Sequence, residues 1–183
     1  MEYAEMNDTQ RAIHAAFIAL YRKQPFDKMS VKGLCLQAPV ARTTFYSYYE
    51  HLGAVKEEIE DELISGILTI AQLKGDTVLQ KDLTAFFTQT LCYVQDHWDE
   101  NYAFLVSQPN LSYIAKWKVA IKAHFSLRIR DKQTMTNYEL ILEVIASAVI
   151  SAYTWWMEHP DEVDVPKLAE ISVEMLSAAE RIL

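Results

Sequence analysis

The chain has 183 residues, 51% of them hydrophobic, and a formal net charge of −8, long enough for one domain or for a small domain fused to a larger one. Charge interrupts the apolar residues throughout and no apolar run reaches the roughly 18 residues that span a bilayer. Met1-Glu2-Tyr3-Ala4-Glu5 carries acid where a secretory leader carries base, so a cytoplasmic protein with no membrane partner is expected. Only four glycines and five prolines occur, and the apolar spacing is i, i+3, i+4 nearly everywhere, which predicts an all-α fold.

Taken in chain order, Thr9 is the expected N-cap of a first helix whose Ile13, Ala16, Phe17 and Leu20 form one stripe, ending near Gln24-Pro25. Ser30 caps the next, with Val31, Leu34, Cys35 and Ala38 inward, and Pro39 stops it. Ala41 to about Tyr48 forms a third, with Arg42, Thr43, Thr44, Tyr46 and Tyr48 outward and Phe45 and Tyr49 inward. A surface helix bearing a guanidinium, small hydroxyls and phenols suits the DNA major groove, although an ordinary polar helix face has the same look. A long helix is predicted over Ala54 to Leu73, with Val55, Ile59, Leu63, Ile67 and Ile70 inward, Glu57, Glu58, Asp61 and Glu62 largely outward, and Lys74-Gly75-Asp76 as its stop. Further helices are expected over Leu79–His97, Asn101–Ser107, Leu111–Arg130, Tyr138–Glu158 and Pro166–Ile182. The last two are apolar on more than one face, which asks for partners on both sides and suggests a dimer seam.

Residues 1–51 hold six lysines and arginines against five acids, a net of +1, leaving −9 to the remainder. The front end can therefore approach phosphate while the body limits non-specific adhesion. Cys35 and Cys92 are expected as buried free thiols. The acids Glu57, Glu58, Asp61 and Glu62 read as a solvated face, and the five histidines form no metal-binding pair, so neither a metal nor a cofactor is expected. No nucleophile elbow, phosphate loop or dinucleotide fingerprint occurs and no catalytic residue stands out, so the chain reads as a non-enzyme.

Met29-Ser30-Val31, Leu34, Ala38-x-Val40 and Arg42-Thr43-Thr44-Phe45-Tyr46-x-Tyr48-Tyr49 together resemble the DNA-binding domain of TetR-family transcriptional regulators. The likeness runs from Thr9 to about Ile59, and Tyr153-Thr154-Trp155-Trp156-Met157 is similar to the penultimate helix of many members. The resemblance implies an N-terminal three-helix helix-turn-helix domain, residues 1–52, joined by a long helix to a helical dimerisation and ligand-binding domain, residues 53–183. It further implies a homodimeric repressor whose two heads bind a double-stranded DNA operator and whose affinity is controlled by a small-molecule inducer. Arg42, Thr43 and Thr44 fall where the family reads bases and nearby phosphates, Tyr46 and Tyr48 where it binds phosphate, and Thr9 and Ser30 at helix starts that add phosphate contacts.

Two residues depart from the pattern. Pro39 stands where the family places glycine, so the turn is expected to take another shape, because proline does not adopt positive φ. Leu52 replaces a lysine at the start of the fourth helix, removing one phosphate contact and about 0.9 from the salt slope. The alternative is a protein of the same fold that acts through protein partners with weak or no direct DNA binding. For the inducer, the aromatic candidates are Trp98, Tyr102, Trp117, Phe125, Tyr153 and Trp156; the same residues serve equally well as core and dimer seam.

Overall fold

A computed structural model describes residues 6–72, 83–126 and 137–180, and all the regular structure among these is helical. In chain order the helices are α1 (Asp8–Tyr21), a 3-10 turn (Phe26–Lys28), α2 (Val31–Gln37), α3 (Arg42–Tyr48), α4 (Leu52–Gln72) and α5 (Leu83–Asp96), then α6 (Trp98–Tyr102), which runs into a π-helical turn (Ala103–Ser107), α7 (Leu111–Ser126), α8 (Tyr138–Glu158) and α9 (Val165–Glu180). Every helix expected from the apolar spacing is present. The stop at Lys74-Gly75-Asp76, the start at Leu79 and the ends at Arg130 and Ile182 lie outside the described residues.

Packing divides the chain into two compact units, residues 1–62 and 63–183, with the boundary inside α4. In the first, α1 packs on α2 and α2 on α3. Ile13, Phe17, Leu34, Phe45, Val55 and Ile59 form its core, and burial of each large side chain contributes about 1.5–3 kcal/mol. In the second, α5 packs on α9, α7 on α8, and α8 on α9, around Phe87, Leu91, Phe104, Tyr113, Trp117 and Tyr153. Glu143 of α8 is gripped by Lys118, at 2.7 Å, and by Lys122, both from α7. The hydrogen bonds from those ammonium groups hold its carboxyl down at about 2.

Four local expectations are corrected. Thr9 is not the cap of α1: the Asn7 side chain accepts from the Gln10 N–H at 3.0 Å while Gln10 Oε1 accepts from the Asn7 N–H at 3.3 Å, and this reciprocal capping box starts the helix earlier. α1 also ends sooner, at Tyr21, with the Arg22 N–H closing onto Ile18 and Leu20. α6 begins at Trp98 because the chain bends at His97 (φ −113°, ψ 42°). Cys35 is buried but Cys92 is exposed, since Phe87, Leu91 and Val94 mark the inward side of α5 and Cys92 falls off it.

Among the described residues, α8 is long and apolar enough to cross a bilayer by length and composition, with an 18-residue window of mean hydropathy 1.5. Fourteen uncharged residues run between Glu143 and Glu158, so averaging over a window reaches a length that no unbroken apolar run does. The helix buries Leu142, Ala146, Ile150, Tyr153 and Met157 inside the second unit.

Candidate nucleic-acid interface

The α2–turn–α3 segment is built from short-range signals. Ser30 caps α2 by accepting the Gly33 N–H at 3.1 Å, and the Val40 N–H closes the helix end onto Cys35 O at 3.1 Å. Between them Pro39 has φ +27°. The expectation of a differently shaped turn is therefore overturned: the chain keeps the positive-φ turn with a proline in it. α2 packs against α3 across this turn, and the φ at Pro39 lies far from the value the pyrrolidine ring favours.

α3 is a seven-residue helix with two unlike sides. Phe45 is 0% exposed and Tyr49, at the helix C-cap, is buried behind it with ring centroids 5.7 Å apart. Arg42, Thr43, Tyr46, Ser47 and Tyr48 are exposed and Thr44 is half-buried. The Arg42 guanidinium lies over the Tyr46 ring, 6.0 Å from its centroid, which gives a long side chain a preferred direction at little entropic cost. Tyr48 Oη accepts from Asn7 Nδ2 at 3.1 Å, so the end of α3 is tied to the start of α1, close in sequence to half-buried Thr9. Its hydroxyl hydrogen stays available for an acceptor such as a phosphate oxygen. Exposed Ser30 stands apart, at the start of α2. Leu52, half-buried, opens α4 and brings no charge there.

Behind α3 lies a polar cluster that the sequence does not announce. His14 of α1, 8% exposed, places Nε2 at 3.0 Å from Glu58 Oε2 and 3.1 Å from Tyr49 Oη, and Nδ1 at 3.5 Å from Glu62 Oε2. The Tyr49 hydroxyl donates to Glu58. Glu58 and Glu62 therefore do not form a purely solvated face; each is about a third exposed and turned toward His14. Burial lowers the His14 pKa, but hydrogen bonds to Glu62 and Glu58 and the charges of both outweigh it, and the net shift is upward from 6.5. Burial first, then the bond to Glu58, pushes the Tyr49 phenol up, so it remains a donor. The i, i+4 spacing of the two acids was visible on α4; their histidine partner, on another helix, was not.

The aromatic candidates for a ligand fall into two groups. Trp117, Phe125, Tyr153 and Trp156 are buried in the core of the second unit, Trp117 edge-on to Tyr153 at 5.7 Å and Trp156 donating Nε1–H to Val163 O at 3.0 Å. Trp98 and Tyr102 are half-buried and stacked at 6.4 Å. None of the six lines either of two hollows in the same unit. One is an open groove of about 380 Å³ whose lining includes Ile114, Lys118, Ser151, Thr154 and Trp155. The other is an apolar cleft of about 110 Å³ between α8 and α9. Among the described residues, two buried groups in the aromatic core, Trp117 Nε1 and Tyr153 Oη, have no hydrogen-bond partner, and burial raises the Tyr153 pKa. Among the described residues, no group of His, Cys, Asp and Glu is arranged to hold a metal ion.

No protein-family model and no curated protein sequence matches the chain. Solved structures do. A TetR transcriptional regulator from Streptococcus agalactiae 2603V superposes with TM-score 0.70 at 20% identity, over 91% of this chain and 92% of that one. The fatty acid degradation regulator FadR from Bacillus halodurans does so with TM-score 0.68 at 14% identity, over 94% and 96%. The dihydroxyacetone kinase operon activator DhaS matches with TM-score 0.62 at 17% identity, over 96% and 98%. The chain has the all-helical fold of TetR-family transcriptional regulators.

Proposed function

We propose that the protein is a homodimeric, non-enzymatic DNA-binding repressor of the cytoplasm, whose N-terminal head (residues 1–52) grips an operator and whose C-terminal domain (residues 53–183) dimerises and binds a small-molecule inducer. The observation that carries this reading is α3, anchored by buried Phe45 and Tyr49 while Arg42, Thr43, Tyr46 and Tyr48 face solvent. Arg42 reads a guanine edge, Thr43 and Thr44 contact base edges and adjoining phosphates, and Tyr46, Tyr48, Ser30 and Thr9 hold phosphate. The inducer is taken up in the second unit, where Trp117 Nε1–H and Tyr153 O–H offer it two donors not yet paired, with Phe125, Trp156, Trp98 and Tyr102 as further apolar contacts. Its effect on DNA affinity equals the effect of DNA on its own affinity.

The test is binding to a DNA fragment from upstream of the gene across a salt series. Arg42→Ala is expected to lose about 1–3 kcal/mol and relax base preference at one position, and Tyr46→Ala to weaken all sequences alike. Variants that bind every DNA as the parent does would defeat the assignment. A second reading, a co-regulator working through protein partners, is favoured by the uncharged Leu52 at the head of α4. It predicts that the parent enriches no sequence from random DNA.

A further inference from the structure

The His14 cluster joins α1, the end of α3 and α4 through one ring. Both of its nitrogens face carboxylates: Nε2 meets Glu58 at 3.0 Å and Nδ1 meets Glu62 at 3.5 Å. A neutral imidazole carries one N–H and can serve only one of them, whereas the imidazolium serves both. Tyr49 shares Glu58 with His14 and caps α3 directly after Tyr48. Its ring also packs on Phe45, so the outward face of α3 is referred to this cluster through two residues.

We propose that His14 is a positioning residue for the DNA-binding head: as the imidazolium it fastens the end of α3 to α4, and its deprotonation loosens the head's hold on DNA as pH rises. The proposal rests on the DNA-binding reading above. The groups facing the ring are Glu58 and Glu62 from α4 and Tyr49 from α3; on α1 itself the nearest charge in sequence, Arg11, is exposed and paired with Asp8 at 2.9 Å. Loss of the proton leaves two neighbouring carboxylates without their shared cation. Because the folded-state pKa lies above 6.5, the stabilisation is complete below about 6.5 and disappears as pH climbs through the raised value.

The experiment follows the His14 ring and the Tyr48 and Tyr49 signals of the full chain by NMR from pH 5.5 to 9, beside DNA affinity at the two ends. The His14 and tyrosine signals are expected to move with one midpoint above 6.5, and DNA affinity to fall severalfold from the low-pH end to the high-pH end. Glu62→Gln, at a partly exposed side chain, should lower the midpoint and flatten the affinity change; His51→Gln, at the head's other histidine, should alter neither. A His14 midpoint at or below 6.5, or tyrosine signals that ignore it, overturns the proposal whether or not DNA is bound. An intact coupled titration in a chain that binds no DNA at any pH supports His14 as the fastener and defeats the DNA-binding reading.

Discussion

At Pro39 two physical demands conflict within a single residue. Its φ of +27° is far from the −65° or so that the pyrrolidine ring favours, and the residue follows the C-cap of α2, where helices commonly reverse through a left-handed position. The outer hydrogen bond of such a turn is made, Val40 N–H to Cys35 O at 3.1 Å. The inner bond needs an N–H on residue 39, which proline lacks. Pro39→Gly removes strain worth about 1–3 kcal/mol and supplies the missing donor, against an unfolded-state entropy cost of up to about 1 kcal/mol. Stabilisation wins by roughly 1 kcal/mol on these figures, and thermal unfolding of the full chain should show a higher midpoint for the glycine variant. A lower midpoint would mean that the ring's own φ preference governs the turn.

Contact between elements sets the next constraint, at Gly66 on α4. A methyl group built there would overlap the Tyr93 ring of α5, so this glycine lets the two helices approach. Glycine costs about 1 kcal/mol of helix propensity relative to alanine, yet forcing the ring aside costs about 1–3 kcal/mol. Gly66→Ala should therefore destabilise the parent, while in a Tyr93→Ala background, where the overlap is gone, the same change should stabilise by up to about 1 kcal/mol. Additive effects of the two substitutions in denaturant unfolding would rule this out. The pair also shows what the sequence could and could not reveal. α8 was legible end to end because its apolar positions are dense and His159-Pro160 stops it; α3 was legible because Phe45 and Tyr49, four residues apart, separate cleanly from Arg42, Tyr46 and Tyr48. Local pattern records such one-helix properties. The Gly66–Tyr93 approach, the His14–Glu58–Glu62 cluster and the Asn7 bond to Tyr48 each join residues far apart in the chain, and periodicity along one helix carries no trace of the partner. The cap at Asn7 was missed for a different reason: Asn7 and Thr9 are both good caps, and only the Gln10 side chain returning to the Asn7 N–H decides between them.

Among the described residues, α8 and α9 together leave apolar side chains uncovered, and this surface bears on the proposed dimer. Val144 is 60% exposed and Met175 50%, and both line the α8–α9 cleft with Ala148, Ala152 and Ile171. Ala148 and Ala152, small residues four apart on α8, leave room for another helix to come close. If a second copy covers it, Val144→Glu with Met175→Glu places two acids from each chain in the seam, and the pair should run as a monomer in sedimentation velocity without losing helix content. Two heads on one dimer bind a two-half-site operator with the second contact made at high effective concentration, an advantage of about 10²-fold or more. The monomeric variant should lose about that factor on the two-half-site fragment and bind an isolated half-site as the parent does. Its salt slope on the full operator should also drop to about half, because half the phosphate contacts are made. A parent already monomeric at micromolar concentration would remove the dimer, and with it the operator spacing that the two heads impose; a variant that stays dimeric would move the seam to another face.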